Sequence, residues 1–295
     1  MNPFFSVIIP SWNSLSYLKQ CLNSLRRQKC KDFEVIVVDN GSKDGTFSWV
    51  KENFPHFSVL LLPFNKGFSY AMNRGIEMSQ GKWLIALNSD VLLHPEFLCR
   101  LKEFLDSLKD PRVGMVQPKI LYPDGKTIYS TGLLLSPARR FFNRGQGLKD
   151  GEKKIEGKIL GPCGAAGVYK REMLEEIRFG EEYFDETFFF LGEDFDLAWR
   201  GRRKGWKVVY VPQAICYHVG EVTHSRKFRQ YLSFRNRYYL LLKNEKISSL
   251  LNSLLPLLIY ELLRIPYLLI SNPYTWKAFL EIKRNYHQLM KKRSA

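Results

Sequence analysis

Leu84-Ile85-Ala86-Leu87-Asn88-Ser89-Asp90 is the stretch that decides the fold. A short apolar run bounded by polar turn residues reads as a buried strand, and its single carboxylate falls at the strand's C-terminal end. Working back from it, the same unit repeats. Val7-Ile8-Ile9 reads as a strand, and Leu15, Leu18, Cys21, Leu22 and Leu25 then recur at helical spacing. Glu34 to Val38 is a second strand closing on Asp39-Asn40-Gly41-Ser42, followed by a helix carrying Phe47 and Val50. Ser58 to Leu62 is a third strand, Phe68 to Ser79 a third helix, and Lys82 to Leu87 the fourth strand. Strands separated by helices of this length predict βαβ units and a mostly parallel sheet. Ligands of such sheets gather at the strands' C-terminal ends, where Asp39 and Asp90 both fall.

Beyond Asp90 the pattern is mixed. A helix is expected from Pro95 to Leu108, a strand from Val113 to Ile120, and a hairpin-type turn at Pro123-Asp124-Gly125-Lys126. Residues 136–158, rich in Arg, Lys and Gly, read as a mobile loop. Gly161 to Tyr169 and Val208 to Val211 read as strands flanking a helix that starts near Glu193. The expected class is therefore α/β, with a smaller antiparallel part. One domain over residues 1–225 and a basic helical tail over 226–295 is the simplest partition, and a chain ending near residue 240 is expected to stay soluble.

The 295 residues, 45% hydrophobic, suffice for a full core. Met1 to Phe5 runs directly into a strand pattern, so no secretory leader is expected. Cys21, Cys30, Cys99, Cys163 and Cys216 are scattered without a C-x-x-C pair, which fits a reducing compartment without a zinc or disulfide framework. The formal charge of +16 is concentrated at one end: residues 201–295 hold 18 Lys/Arg against 4 Glu. Solvated helix faces are one reading of that excess, and an anionic partner is the other. Leu250 to Ile270 is Leu-rich but interrupted by Pro256, Glu261, Arg264 and Pro266. It offers no uncharged run of the ~20 residues that a spanning helix needs. Interfacial helices with Tyr260, Tyr267, Tyr274 and Trp276 at headgroup depth are expected, against the alternative of a helical hairpin packed on the domain. No helix-turn-helix, zinc finger or aromatic RNA platform is present, so nucleic acid is not the expected partner.

Six short segments and one histidine carry polar groups suited to chemistry. Asp39-Asn40-Gly41-Ser42 places a carboxylate where it would accept a pyrimidine imide N–H, or else cap its own turn. Asn65-Lys66-Gly67-Phe68 and Asn73-Arg74-Gly75 offer donors to diphosphate or ribose, though Asn and Gly also mark ordinary turns. Asn88-Ser89-Asp90 ends a strand with one carboxylate, enough for Mg2+ or Mn2+ when phosphate oxygens and waters complete the octahedron. Cys163-Gly164-Ala165-Ala166-Gly167 is either a close approach for a sugar or a tightly packed strand. Gly192-Glu193-Asp194-Phe195-Asp196 opens a helix with three carboxylates, of which Asp194 suits a general base and Asp196 a pairing with Arg200. His218, after the last strand, is a candidate metal ligand or a structural histidine.

In this order the segments resemble inverting glycosyltransferases of family 2 with the GT-A fold. The match runs through Ser6-Val7-Ile8-Ile9-Pro10-Ser11-Trp12-Asn13, Val35 to Ser42, Asn65 to Phe68, Asn88 to Asp90, Gly192 to Leu197 and Tyr217-His218. Gly192 to His218, with Arg235-Asn236-Arg237-Tyr238 beyond, is most similar to the bacterial rhamnosyltransferase-like branch that acts on lipid-linked glycans. The resemblance implies a nucleotide-binding half over about residues 1–110 and an acceptor half over about 111–225. Pro10, Trp12, Asn13, Asp39, Ser42, Lys66, Gly67, Asn73, Asn88 and Ser89 would then hold the nucleotide, Asp90 and His218 the metal. Asp194 would be the base, Glu193 would orient the acceptor, and Gly164, Ala165, Arg235 and Arg237 would border it. The implied reaction moves a sugar from a dTDP- or UDP-linked donor to a lipid-linked or polysaccharide acceptor at the inner face of a membrane. Two departures are visible: Asn-Ser-Asp replaces Asp-x-Asp, and the Gln-x-x-Arg-Trp signature of processive synthases is absent.

Overall fold

The computed structural model describes residues 2–152, 157–220 and 224–293. In chain order its strands and helices begin with β1 (Phe5–Ser11), α1 (Leu15–Arg26), β2 (Phe33–Asp39), α2 (Thr46–Asn53), β3 (Ser58–Leu61), α3 (Phe68–Met78) and β4 (Trp83–Leu87). There follow β5 (Val91–Leu93), α4 (Phe97–Asp106), β6 (Val113–Leu121), β7 (Ile128–Ser130), β8 (Leu133–Leu135), β9 (Phe141–Asn143), β10 (Ala166–Lys170) and α5 (Arg171–Ile177). The chain closes with α6 (Glu193–Arg203), β11 (Lys207–His218), α7 (Arg226–Asn244), α8 (Ile247–Asn252), α9 (Leu254–Ser271) and α10 (Tyr274–Arg293).

The main sheet runs β3-β2-β1-β4-β10-β6-β11-β5, with β7 beside β6. The β3-β2-β1-β4 half is parallel, β10 is antiparallel to both neighbours, and β11 runs parallel to β6. This is the expected α/β architecture, a parallel half extended by a mixed one. Helices cover both faces, which is why the central strands are apolar on both sides. Val7 and Ile9 point into a core shared with Leu18, Leu22 and Leu25 of α1, while Ile8 points the other way, among Ala71 and Ile76 of α3. The period of two along β1 thus feeds two cores. Gly75 lets α3 lie close to β1: a Cβ there would come within 2.3 Å of Ile8 Cγ2.

Three expectations change. The described part of residues 136–158 is mostly turn but not without anchors: β9 pairs with β8, and Arg144 is buried with its guanidinium bonded to Thr131. Residues 153–156 of that stretch lie outside the described residues. Pro256 and Pro266 do not interrupt the tail, because α9 runs unbroken through both. Pro256 sits in the first turn, where a missing N–H has no intrahelical acceptor to lose. The boundary at residue 225 also fails to separate two bodies. Tyr231, Leu232, Phe234, Tyr239 and Leu240 of α7 are buried, and Tyr239 and Leu240 join the core that contains β1. A chain ending near residue 240 would cut through that helix, so it is not expected to remain folded.

Candidate functional site

The site grows from the C-terminal ends of β1, β2 and β4. Asn88 N–H donates to the Ala165 carbonyl at 3.0 Å, tying the turn after β4 to the entry of β10. Ser89 Oγ lies 2.9 Å from Ser14 Oγ at the start of α1. Antiparallel pairing of β5 with β11 sets His218 opposite Val91, which brings the imidazole beside Asp90. His218 Nε2 is 3.2 Å from Asp90 Oδ1, both side chains are largely buried, and the Tyr129 ring stands edge-on to the imidazole at 4.3 Å. His218 Nδ1 is buried without a hydrogen-bond partner. A carboxylate and an imidazole converging at the rim of a cavity, flanked by Asn88 and Ser89, fit a divalent cation that takes further oxygens from a ligand.

Those residues open into a cavity of about 620 Å³, whose walls include Pro10, Trp12, Asn13, Asn65, Gly67 and Phe68. Its size suits a nucleotide-sized ligand. Asn40 is the bracket: its amide donates to Asn65 Oδ1 and to the Gly67 carbonyl, both at 3.0 Å, while its oxygen accepts the Lys66 N–H at 2.9 Å. The loops after β2 and β3 are thereby locked together.

The acid pair begins α6. Gly192 precedes it in the left-handed region at φ +98°, a conformation that costs glycine little. Leu191 (φ 68°) and Phe189 (φ 63°) are also left-handed, a strain that the surroundings must hold. Asn236 on α7 holds it, donating its amide to the carbonyls of Phe188, Phe190 and Leu191. Asp194 accepts the Gly164 N–H at 2.9 Å on one oxygen and the Phe195 N–H at 2.9 Å on the other. Burial raises its pKa against those two bonds, so it is a desolvated but oriented carboxylate. Glu193 is buried, its Oε2 has no partner, and burial followed by the charge of Asp194 pushes its pKa up to about 8. Asp194 also acts across to the cavity wall: the Tyr129 hydroxyl is pushed up first by burial, with Asp90 and Asp194 both contributing.

Several expected positions are corrected. Asp39 is not among the residues that line the cavity; it is buried and its carboxylate accepts the Ser42 N–H at 2.9 Å, leaving Asn40, itself buried, as the residue of that turn that lines the cavity. Ser42 accepts the Asn13 N–H at 3.0 Å and supports Asn13 rather than facing the cavity. Lys66 Nζ turns back to the Tyr70 hydroxyl at 3.2 Å. Asn73 is fully buried, bonded to the Phe184 backbone and to Glu186, so it braces the segment before α6. Gly164 and Ala165 are buried and bond to Asp194 and Asn88, positioning those groups instead of bordering an acceptor. Arg235 donates to the carbonyls of Thr187 and Phe188 and pairs with Glu281, while Arg237 donates to the carbonyls of Ala138 and Arg139 and pairs with Glu261. Both arginines are structural connectors. Pro10, Trp12, Asn13, Gly67, Asn88, Ser89, Asp90 and His218 do share the cavity.

The cavity also takes residues that local pattern did not single out: Tyr129, Phe189, Phe190, His224 and Arg229. His224 stacks on Trp12 at 5.0 Å and on Phe190 at 4.8 Å, forming an aromatic sandwich. None of these lies in a motif at a strand end; only folding brings them to one place.

Residues 6–178 match the family described as glycosyl transferase family 2. A "PGL/p-HBAD biosynthesis glycosyltransferase" of Mycobacterium bovis is 37% identical over 107 residues, 35% of this chain and 42% of that protein. The chain thus spans less than half the length of that relative. Among solved structures, S. aureus TarS superposes at a TM-score of 0.59 with 21% identity, covering 88% of this chain and 43% of TarS. The mannosyltransferase PcManGT from Pyrobaculum calidifontis, solved in complex with GDP-Man and Mn2+, gives a TM-score of 0.56 at 16% identity, covering 100% of this chain and 85% of that one. At these identities the structural likeness bears on the fold.

Proposed function

The chain belongs to glycosyl transferase family 2, and from that premise we propose that it moves a sugar from a nucleoside diphosphate to a lipid-borne acceptor, with inversion, using a divalent cation. The observation that carries the reading is the convergence of the Asp90–His218 pair with Trp12, Asn13, Asn88 and Ser89 on one cavity; the acid pair of α6 does not line that cavity but begins two residues after Leu191, which does. Asp90 and His218 would hold Mg2+ or Mn2+, which when bound neutralises the donor diphosphate. Trp12 offers an aromatic face to the base. Asp194, oriented by the Gly164 and Phe195 amides, takes the proton of the acceptor hydroxyl as that oxygen attacks the anomeric carbon. Glu193 keeps its proton near neutral pH and so places no second negative charge beside the base. dTDP- and UDP-sugars, rhamnose among them, are the donors we propose.

The proposed acceptor and location are supported by α9. By length and composition alone α9 could cross a membrane, yet both of its charges are committed to the protein: Glu261 pairs with Arg237 of α7, and Arg264 lies 3.8 Å from Glu261 with its guanidinium over the Phe234 ring. The opposite face is bare, with Leu262, Leu263 and Ile270 exposed to 72%, 75% and 88%. Trp276 and Leu280 of α10 continue it, flanked by exposed Lys277, Lys283 and Arg284. An apolar face with a basic border suits an anionic lipid surface, with α9 lying in its plane rather than across it. We propose on this basis a peripheral position on the cytoplasmic leaflet. Purified protein incubated with Mn2+ or Mg2+ and a panel of UDP-, dTDP- and GDP-sugars should bind or slowly hydrolyse one of them. Failure with every donor overturns the reading.

A further inference from the structure

We propose that Arg229 is a ligand of the nucleoside diphosphate and stabilises it as the leaving group. This rests on the transfer reaction proposed above and adds a residue to it. Arg229 is the one Lys or Arg among the described residues lining the cavity. Its Nε is buried without a hydrogen-bond partner, and among the described residues no carboxylate forms an ion pair with it. Arg74, Arg139, Arg237 and Arg264 also have a buried guanidinium nitrogen without a hydrogen-bond partner, but each of these is ion-paired, with Glu77, Glu245, Glu261 and Glu261 respectively. A guanidinium whose buried N–H is unsatisfied is under-solvated until an acceptor arrives.

The local structure fixes where that acceptor must be. Arg229 sits in the first turn of α7, where Ser225 caps the helix by accepting the Phe228 N–H at 3.3 Å. Phe228 packs against Phe189, Phe190 and His224, and His224 in turn stacks on Trp12. The turn is thereby held at the cavity, and as the N-terminal turn of a 19-residue helix it carries the positive end of the helix dipole. On transfer, the bond from the anomeric carbon to the β-phosphate oxygen breaks and its electron pair stays on that oxygen. The acceptor oxygen forms the new bond and its proton passes to Asp194. The diphosphate gains one negative charge, and a bidentate guanidinium is the donor group matched to it.

The test is calorimetric titration of wild type, Arg229→Gln and Arg229→Lys with UDP, dTDP and GDP, and with the matching nucleosides, all in Mn2+. For the diphosphate that wild type binds, Arg229→Gln should lose about 10- to 100-fold in affinity, the span of a charge-assisted hydrogen bond. Nucleoside affinity and melting temperature should stay unchanged, and Arg229→Lys should recover part of the loss. Equal diphosphate affinity in Arg229→Gln overturns the assignment, as does an equal loss for nucleoside and diphosphate, which would mark a structural role. A wild type that binds none of the three diphosphates refutes the donor reading itself, a result distinct from the others.

Discussion

Lys243 of α7 donates to Asp196 of α6 at 2.7 Å, with both side chains buried from solvent. Asp196 also accepts from Arg200 at 2.9 Å and from Asn244 at 2.8 Å, while Lys243 reaches Asp185 as well. Burial alone would raise the pKa of Asp196, but Lys243 and Arg200 hold it below the usual carboxylate range. The helix that carries the acid pair is therefore bolted to the C-terminal helices by charge. Lys243→Met should leave two buried carboxylates under-compensated and cost about 3–5 kcal/mol. Chemical denaturation measures it, and a loss under ~1 kcal/mol would mean that the network is dispensable. Ending the chain after residue 240 removes Lys243, Asn244 and Lys292 together and should yield insoluble protein.

Asp194→Asn keeps the shape and one of the two backbone N–H contacts but removes the proposed base. Turnover should fall by ~10²–10⁴-fold while donor affinity stays within a factor of a few. Near-normal turnover with a lipid-linked acceptor would assign the base elsewhere, with Glu193 the first alternative.

Glu193 gives stability a pH dependence of definite sign. Its folded pKa of about 8 lies above the ordinary glutamate value, so the folded state binds the proton more tightly. Stability from this group is present in full below the unfolded pKa and is lost as pH rises toward 8. Glu193→Gln should therefore raise the melting temperature at pH 8–9 relative to wild type, with the difference vanishing below about pH 4. A constant difference across pH would show that Glu193 is ionised in the fold.

Asp90→Ala should weaken donor binding and abolish its dependence on Mn2+, because the proposed cation would lose the one carboxylate that lines the cavity among the described residues. His218→Ala should do the same to a smaller degree. Titration of the nucleoside diphosphate with and without Mn2+ measures both, and an unchanged metal requirement in Asp90→Ala would refute the site.

Leu262→Asp combined with Ile270→Asp places charge on the bare face of α9, where neither side chain supports the fold. Each buried leucine or isoleucine contributes roughly 1.5–3 kcal/mol to lipid binding by area, and each nearby basic residue ~1 kcal/mol. Wild type should float with vesicles containing anionic phospholipid and be partly released by salt, and the double variant should remain in the soluble fraction. Wild type that ignores such vesicles at low salt would leave the face to another partner.

Much of this was legible in the chain. The period of two in Val7-Ile8-Ile9 and the helical spacing of Leu15 to Leu25 are local properties, and each β–α unit has few ways to close, so the parallel half followed directly. The turn after β4 was readable too, because a strand's end fixes where its next three residues point. What local pattern misjudged was the direction of side chains in helices and loops. Asp39, Asn73, Arg235 and Arg237 have the right chemistry for a ligand site, yet each finds a backbone partner within the fold and turns away from the cavity. Arg229 carries no sequence signal beyond its charge. It lines the cavity because α7 packs back on the sheet and places its first turn beside Trp12 and Phe190. Sequence sets which groups the chain carries and the secondary structure they ride on. Only packing decides which of them are satisfied internally and which are left for a ligand, since a buried hydrogen-bonding group takes whatever partner the tertiary contacts bring within reach.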